Sequence, residues 1–294
     1  MTHIALVTAA AARDLDEDLP PLAAAMRETG ADFSIVNWDD AAIDWSRFEI
    51  AVLRSTWDYT DRLHDFLRWT ERAAAQTKLL NPPDVVRWNT DKHYLAELAA
   101  TGVPTVPSTF VEPGEDARDA LRRFLSGAAS EFVVKPSVGA GSRDAQRYIP
   151  SEHDAALAHA DRLLQANRSV LLQPYLDRVD EHGETALMFF DGAFSHAIRK
   201  GPLLRRGEGP TRALFAAEHI AARTPSAEEM AVAEKTLAAI PFERPLLYAR
   251  VDLIQAADGQ PCVLELELTE PSLFFVHAPA AAVARFARAV VARA

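Results

Sequence analysis

Acidic side chains crowd onto one face of a predicted β-hairpin over residues 246–272. Alternation along the first strand places Arg250 and Asp252 on the same side. On the second strand, Glu265 and Glu267 share one side. The other side of this strand is apolar and carries Leu264, Leu266 and Leu268. The hairpin therefore has a carboxylate-rich face and an apolar face.

A tight turn sets the register of the two strands. The Asp-Gly pair at 258–259 predicts a two-residue turn, so Asp252 faces Glu265 and Arg250 faces Glu267. Carboxylates directly opposite each other repel, so a bound cation must offset them. Magnesium with a nucleotide phosphate fits, because it prefers one or two carboxylates plus phosphate oxygens. The predicted metal ligands are Asp252, Glu265 and Glu267.

A second segment has the chemistry of a phosphate-binding loop. The apolar strand 132–135 ends in Lys135, which can hold a fixed positive charge against a phosphate. Gly139 and Gly141 allow backbone N–H groups to turn toward phosphate oxygens. The loop is neither a Walker A motif nor a dinucleotide fingerprint. A hairpin turn with a solvated lysine is the alternative interpretation.

Two further segments suit a nucleotide. Lys92 lies at the start of a predicted helix, where a cation is unfavourable unless an anion is close. The strand 171–177 is broken by Pro174, which cannot donate to a ladder. Free backbone groups in such a hinge can meet an adenine edge. An exposed surface lysine and an ordinary strand end are the alternatives.

The motif at 54–59 follows an apolar strand of a predicted parallel sheet, where ligands collect. Arg54 could bind a carboxylate in bidentate fashion. Ser55 and Thr56 could donate to the same ligand, and Asp58 could hold an ammonium group. A helix cap with an Arg–Asp pair explains the same residues.

Basic residues also follow a later predicted hairpin, formed by strands 185–190 and 194–199. Arg199 and Lys200 end its second strand, and Arg205 and Arg206 follow in a stretch without periodicity, 201–223. These side chains could clamp phosphates in a closing lid. A solvated basic loop is the alternative for Arg205 and Arg206.

Composition limits the class of protein. The chain has 294 residues and is 49% hydrophobic, enough for two or three lobes. No apolar run approaches the roughly 18 residues that span a bilayer, and the N-terminus does not resemble a signal peptide. One cysteine excludes an internal disulfide, so we expect a cytoplasmic protein without a membrane partner. The net charge of −11 argues against nucleic-acid binding.

The order of elements predicts three domains. Strands and helices alternate over the first 85 or so residues, which predicts a parallel sheet and an α/β domain at 1–88. A second pattern follows at 89–175, with a helix at 91–101. The last domain, 176–294, contains the two hairpins and closes with a helix at 280–291. A Ser/His/Asp triad stays open, but the chain has no Gly-x-Ser-x-Gly elbow.

Taken in order, these motifs resemble the ATP-grasp superfamily. The resemblance is carried by Lys92, Lys135 with its small-residue loop, the Gln173-Pro174-Tyr175 hinge, and Asp252 with Glu265 and Glu267. The tail 265–272 is similar to the metal-binding segment of bacterial glutathione synthetase. The resemblance implies an α/β (α+β) ATP-grasp fold with an N-terminal parallel-sheet domain, a small central lid domain and a C-terminal antiparallel-sheet domain.

The resemblance also implies roles for individual residues. The expected ATP-binding residues are Lys92, Lys135, Ser137, Gly139, Gly141, Ser142, Gln173, Pro174 and Tyr175. The expected substrate-binding residues are Arg54, Ser55, Thr56, Asp58, Glu184 and Arg199. Arg250 and Lys200 are the expected catalytic residues. The cofactors would be ATP and two Mg²⁺ ions, and the protein would form a homodimer or homotetramer.

The implied reaction is ATP-dependent activation of a small-molecule carboxylate as an acyl phosphate, with release of ADP. An amine-type nitrogen then displaces phosphate. Within the superfamily, the motifs at 54–59 and 183–200 are similar to the D-cycloserine synthetase branch, which cyclises O-ureido-D-serine. An amino-acid, dipeptide or peptide-tail ligase and a nucleotide-binding regulator are the alternatives. A dehydrogenase is disfavoured, because no glycine fingerprint follows the first strand.

Two positions depart from the glutathione synthetase pattern. Glu267 stands where that family typically has asparagine, which adds a negative charge that Arg250 could compensate. Gln173 stands where a glutamate is frequent. Contacts between adenine and the Gln173 side chain are therefore left open.

Overall fold

A parallel sheet forms the N-terminal lobe. The computed structural model describes residues 3–127, 130–204, 207, 209 and 219–294. The strands of this lobe are β1 (His3–Thr8), β2 (Asp32–Asn37), β3 (Ile50–Ser55) and β4 (Lys78–Leu80), in the order β2-β1-β3-β4. Two helices flank them, α1 (Leu19–Glu28) and α2 (Leu63–Ala74). Strands β1 and β3 are almost continuously buried, as expected for a sheet covered on both faces.

Two short helices lead out of this lobe, α3 (Pro83–Asn89) and α4 (Tyr94–Ala100). Helix α3 begins at Pro83, because proline in the first turn of a helix costs no hydrogen bond. The helix predicted at 91–101 begins later, at Tyr94. Tyr94 and Leu95 pack in one core with Leu187 and Val251 of the C-terminal lobe.

The central lobe is a four-stranded antiparallel sheet with its own core. Its strands are β5 (Thr109–Val111), β6 (Phe132–Pro136), β7 (Gln146–Tyr148) and β8 (Val170–Pro174), in the order β5-β8-β6-β7. Helices α5 (Ala117–Leu125) and α6 (His153–Gln165) cover it. Leu121, Phe132, Leu157 and Leu172 share this core.

The C-terminal lobe is a five-stranded antiparallel sheet. Its strands are β9 (Glu184–Phe190), β10 (Ala193–Lys200), β11 (Ile220–Arg223), β12 (Tyr248–Gln255) and β13 (Pro261–Glu267), in the order β11-β10-β9-β12-β13. Its helices are α7 (Val179–His182), α8 (Ala227–Ala238) and α9 (Ala281–Val291). The hairpin β9–β10 was predicted and is confirmed. The predicted loop at 201–223 is wrong at 220–223, which pairs with β10, and Arg205 and Arg206 lie outside the described residues.

The N-terminal and C-terminal lobes share a core. Ile4 and Leu22 of the first lobe lie in one apolar cluster with Tyr248 and Phe286 of the last. The central lobe keeps a separate core, so the chain has one large body and one smaller lobe above it. Within the described part of the chain, no helix is long and apolar enough to cross a membrane.

The acidic hairpin has the predicted register for a reason that the sequence did not reveal. Asp252 is opposite Glu265 and Arg250 is opposite Glu267, as predicted. The turn is one residue longer than expected, since Ala256 N–H donates to Gln260 O at 2.8 Å. A β-bulge opposite Asp252 and Leu253 leaves Leu264 unpaired, which shifts the register back by one residue. The two deviations cancel at the carboxylates.

The bulge also corrects the prediction for Leu264. This side chain was predicted to join Leu266 and Leu268 in the apolar face. Leu266 and Leu268 are buried, whereas Leu264 lines a cavity together with Glu265.

Candidate active site

A cavity opens between the central sheet and the C-terminal sheet. Eight of the predicted nucleotide-binding residues line it: Lys92, Lys135, Gly139, Gly141, Ser142, Gln173, Pro174 and Tyr175. The same cavity is lined by the charged residues Glu184, Lys200, Arg250, Glu265 and Glu267. The fold therefore brings together segments that are more than 150 residues apart in the sequence.

Asp252 lies beneath this cavity and is neutralised by two cations. Arg250 Nε and Nη2 donate to its two carboxylate oxygens, each at 2.8 Å, and Lys200 Nζ donates to Oδ2 at 2.8 Å. Burial alone would raise the pKa of Asp252, but Arg250 and Lys200 outweigh it and hold the pKa well below its usual range. Asp252 is therefore ionised.

Lys200 bridges two carboxylates. Its ammonium group pairs with Glu184 on the neighbouring strand as well as with Asp252. Burial raises the pKa of Glu184 to about 8 despite the nearby lysine. Arg250 spans a second pair in the same way, because it also contacts Glu267. Burial raises the pKa of Glu267 to about 7.

Lys92 joins the acidic hairpin to the loop of small residues. Its Nζ pairs with Glu265 Oε1 at 2.7 Å and donates to Gly139 O at 2.8 Å. Burial opposes the charge of Lys92, but Glu265 outweighs it and raises the pKa of the lysine. The exposed-lysine interpretation is contradicted, since Lys92 is only 6% exposed.

Lys135 has a different environment. It lines the cavity at the end of β6, and burial lowers its pKa to about 8. Glu265 acts in the opposite direction but is outweighed. An anion bound in the cavity would restore the charge of this lysine.

Three of the predicted nucleotide-binding residues already form other hydrogen bonds. Ser137 is buried outside the cavity lining, where its carbonyl accepts from Lys92 N–H at 3.0 Å. Gln173 lies opposite Val133 on the strand face that lines the cavity, but its side-chain amide already donates to Ser108 Oγ at 2.9 Å. Tyr175 N–H donates to Glu131 O at 2.8 Å, so this amide is already used.

The polar residues of the motif at 54–59, predicted to bind the substrate, do not line this cavity or the smaller cavity that adjoins it. Arg54, Ser55 and Thr56 are fully buried inside the N-terminal lobe. Arg54 Nη2 donates to Pro271 O at 3.1 Å and lies 3.8 Å from Asp18 Oδ2. Arg54 therefore forms an Arg–Asp pair, as the alternative interpretation expected, but its partner is Asp18 and not an aspartate of the motif.

Two other predicted substrate residues form hydrogen bonds outside the cavity. Asp58 accepts from Trp38 Nε1 at 2.8 Å and from Arg62 at 3.0 Å, so it is already paired away from the cavity. Arg199 donates to the carbonyl of His182 at 2.7 Å and lies outside the cavity lining. Strand alternation explains this difference, because Lys200 faces the cavity and Arg199 faces the other side.

Sequence reasoning missed a second, smaller cavity that adjoins the first. It shares Lys92, Lys200, Arg250, Glu265 and Glu267 with its neighbour. The residues that it adds include Trp57, Tyr59, Glu270, Ser272 and Phe274. Trp57 and Tyr59 belong to the predicted motif, but the interpretation chose its polar members. The signal that could have found them is the position of two aromatic residues directly after the strand end.

Three carboxylates of the site fit a hard cation. Glu265 and Glu267 are about one-quarter exposed in the cavity, and Asp252 lies opposite Glu265 in the ladder. Oxygen ligands of this type suit Mg²⁺. Within the described residues, no three acidic, histidine or cysteine side chains converge into a cluster ready for a metal, because lysine and arginine separate them. Lys92 must give way for Glu265 to act as a ligand, whereas Asp252 accepts only one bond on Oδ1 and can bind a cation beside Arg250 and Lys200.

Comparison with known proteins agrees with this geometry. The family described as D-cycloserine synthetase DcsG, N-terminal domain, matches residues 4–81. Over 299 residues, the chain is 45% identical to the cycloserine biosynthesis protein DcsG of Streptomyces lavendulae, which covers 100% of this chain and 99% of that protein. The crystal structure of D-cycloserine synthetase DcsG matches with a TM-score of 0.93 at 45% identity, over 99% of both chains.

Two more distant structures share the fold. D-alanine–D-alanine ligase from Bacillus anthracis, complexed with ATP, matches with a TM-score of 0.71 at 15% identity, over 99% of this chain and 97% of that one. The ATP-grasp ligase PsnB, complexed with a minimal precursor, Mg and ADP, matches with a TM-score of 0.65 at 19% identity, over 99% and 96%.

Fold and cavity together define an ATP-grasp enzyme, an ATP-dependent ligase. The predicted fold class is thereby confirmed. More narrowly, the chain belongs to the family of the D-cycloserine synthetase DcsG, with which it aligns from end to end.

Proposed function

We propose that this ligase uses ATP to activate the carboxylate of O-ureido-D-serine and closes the ring of D-cycloserine, with ADP and phosphate as products. The observation that carries the proposal is the cavity that joins Lys92 and Lys135 to the opposed carboxylates Asp252 and Glu265. It occurs in a chain that aligns along its whole length with a cycloserine biosynthesis protein.

The nucleotide would lie between the central and C-terminal sheets. Lys135 and Lys92 bind its phosphates, and their side chains at one end of the cavity support this role. Gly139, Gly141 and Ser142 offer backbone N–H groups to the same phosphates. The backbone around Pro174 meets the adenine ring, since the side-chain amide of Gln173 is already bonded to Ser108.

Magnesium would be held by Asp252, Glu265 and Glu267. When bound, it neutralises the charge that develops on the transferring phosphoryl group. Lys92 then exchanges its bond to Glu265 for a phosphate oxygen, which keeps the lysine paired. Arg250 and Lys200 remain beside Asp252 and face the reacting carboxylate.

The chemistry proceeds in two steps. A substrate carboxylate oxygen attacks the γ-phosphorus, the bond to ADP breaks, and an acyl phosphate forms. The ureido nitrogen on oxygen attacks the acyl carbon, an N–C bond forms, and inorganic phosphate leaves with the bonding electrons while the nitrogen loses its proton. The carbamoyl group leaves with one water as carbon dioxide and ammonia, which balances the conversion to D-cycloserine.

The protein contributes positioning and charge more than covalent chemistry. Arg250 steadies the acyl phosphate, because its guanidinium is fixed by Asp252 on one side and by Ser272 O at 3.2 Å on the other. Residues 201–204 border the cavity, which supports a lid drawn from this segment that keeps water from the acyl phosphate.

Removal of the metal-binding charge tests the proposal. Asp252→Asn and Glu265→Gln should each lower ADP release with O-ureido-D-serine by roughly 100-fold or more, because the phosphoryl transfer loses electrostatic stabilisation. A coupled ADP assay measures the rate, mass spectrometry identifies the cyclic product, and circular dichroism checks the fold. Glu49→Gln, an exposed carboxylate of the N-terminal lobe, is the matched control. Normal ADP release by both folded variants would refute the metal role.

A further inference from the structure

The smaller cavity has an unusual lining for a site that handles phosphates. Trp57, Tyr59 and Phe274 supply aromatic walls, and Glu270 supplies a carboxylate. None of these four side chains has a role in nucleotide binding. They lie next to Arg250, the cation that faces the reacting carboxylate in the proposed function.

Glu270 is held firmly in this cavity. It is 7% exposed, and its backbone oxygen accepts from Trp57 Nε1 at 3.0 Å. The Tyr59 hydroxyl faces its carboxyl group. The backbone of residues 273–275 is also fixed, because Asp18 accepts hydrogen bonds from its three N–H groups.

The charge of Glu270 is not balanced by a neighbouring cation. Glu265 pairs with Lys92, and Glu267 pairs with Arg250, whereas Glu270 forms no ion pair within the part of the chain that the structure describes. A buried carboxylate without a cation is costly, so burial raises the pKa of Glu270 to about 8 and the free carboxyl is largely protonated near pH 7. A cation bound beside Glu270 would stabilise its ionised form.

The ammonium group of an α-amino acid would place a positive charge beside the Glu270 carboxyl group. Its ammonium nitrogen and its carboxylate carbon are bonded to the same atom, so the two recognition sites must be neighbours. Arg250 offers a carboxylate site, and its Nη1 donates to Ser272 O in the same segment that carries Glu270. Aromatic faces add favourable contacts for an ammonium group.

We propose that Glu270, held by Trp57 and Tyr59, binds the α-ammonium group of the amino-acid substrate while Arg250 faces its carboxylate. This inference rests on the proposed function and deepens it, since it names the residue that selects an amino acid over a simple carboxylic acid. Tyr59 is a positioning residue that aims the Glu270 carboxylate.

Paired substrates test the assignment. The probes are O-ureido-D-serine and 3-(ureidooxy)propanoic acid, which is identical except that hydrogen replaces the amino group. Glu270→Gln should lower kcat/KM for the amino acid by roughly 10- to 100-fold, the range of a hydrogen bond to a buried charge. The same variant should change kcat/KM for the des-amino acid by less than about 3-fold, because no ammonium group is lost.

Two further variants separate recognition from a loss of structure. Glu270→Asp keeps the charge and should recover part of the preference for the amino acid. Glu49→Gln should leave both values unchanged. Mg·ADP affinity, measured by calorimetry, should be the same in wild type and Glu270→Gln.

The outcomes are distinct. If Glu270→Gln lowers activity on both substrates equally, the carboxylate does not recognise ammonium and the inference is wrong. Wild-type selectivity that survives in Glu270→Gln overturns it as well. If wild-type protein releases no ADP with either compound, the proposed function fails, and the inference fails with it.

Discussion

At the scale of single residues, the site is a set of charges that neutralise one another before any ligand arrives. Lys92, Lys200 and Arg250 each contact at least one carboxylate of the cavity. These pairs hold the buried acidic groups in position, and they lower the pKa of Asp252 and of Glu265. Magnesium and phosphates would replace existing ion pairs and would not bind to unpaired charges. This replacement lowers the desolvation cost of binding.

Lys135 gives a pH-dependent prediction at this scale. Burial lowers its pKa to about 8 in the free protein, and a bound phosphate should raise it. Protonation is then linked to binding, so Lys135 should make the affinity for Mg·ADP fall as pH rises above about 8, by up to roughly tenfold per unit. Calorimetry at pH 7 and pH 9 measures this change.

Matched variants make that prediction specific. Lys135→Met should bind more weakly at pH 7 and lose the decline between pH 7 and pH 9. Lys78→Met removes a surface lysine of β4 and should behave as wild type. An unchanged decline in Lys135→Met would show that another group titrates.

At the scale of elements, the edge of the acidic hairpin is held by side chains that replace a neighbouring strand. Asn89 Nδ2 donates to Leu266 O at 2.7 Å, and its Oδ1 accepts from Leu268 N–H at 2.6 Å. The hydroxyl of Tyr94 accepts from Leu266 N–H at 3.0 Å. Helices α3 and α4 therefore satisfy the backbone of β13 and fix the direction of Glu265 and Glu267.

Asn89→Asp tests this bracing with an almost isosteric change. A carboxylate cannot donate to Leu266 O, so the variant leaves a buried carbonyl unpaired and should lower the free energy of unfolding by about 1–3 kcal/mol. Urea unfolding followed by tryptophan fluorescence measures the loss. Asn167→Asp, in an exposed turn, is the control and should change little. Equal stability of Asn89→Asp and wild type would argue against a bracing role.

At the scale of the whole molecule, the nucleotide cavity lies between the central lobe and the C-terminal lobe, which touch through the packing of Leu171. The central lobe has its own core, while the N-terminal and C-terminal lobes share theirs. Residues of β6 and β8 face residues of β12 and β13 across the cavity. A ligand bound there contacts both lobes and should stabilise their association.

Mg·ADP should therefore stabilise the entire chain. With free ligand at one hundred times Kd, the free energy of unfolding should rise by about 2.7 kcal/mol by mass action. Differential scanning calorimetry with Mg·ADP, with Mg²⁺ alone and with ADP alone separates the contributions. A melting temperature that Mg·ADP leaves unchanged at this concentration would contradict binding to the folded protein.

Local sequence determined the class of the protein and the lysines and opposed carboxylates of its site. The order of Lys92, Lys135, the 173–175 hinge and the acidic hairpin was enough to predict the fold through its resemblance to the ATP-grasp superfamily. The predicted Asp-Gly turn put Asp252 opposite Glu265. The turn is in fact one residue longer, and the prediction held because the bulge at Leu264 restores the register.

Tertiary structure alone decided which member of a motif meets the ligand. Arg54 follows the strand end as a ligand-binding arginine would, yet Asp18 and Pro271 O hold it in the interior, while Trp57 and Tyr59 face the cavity. Asp18 and Pro271 are about 250 residues apart in the chain, so no local pattern reports their contact with Arg54. Burial and charge at a site depend on such long-range neighbours, whereas periodicity depends only on adjacent residues.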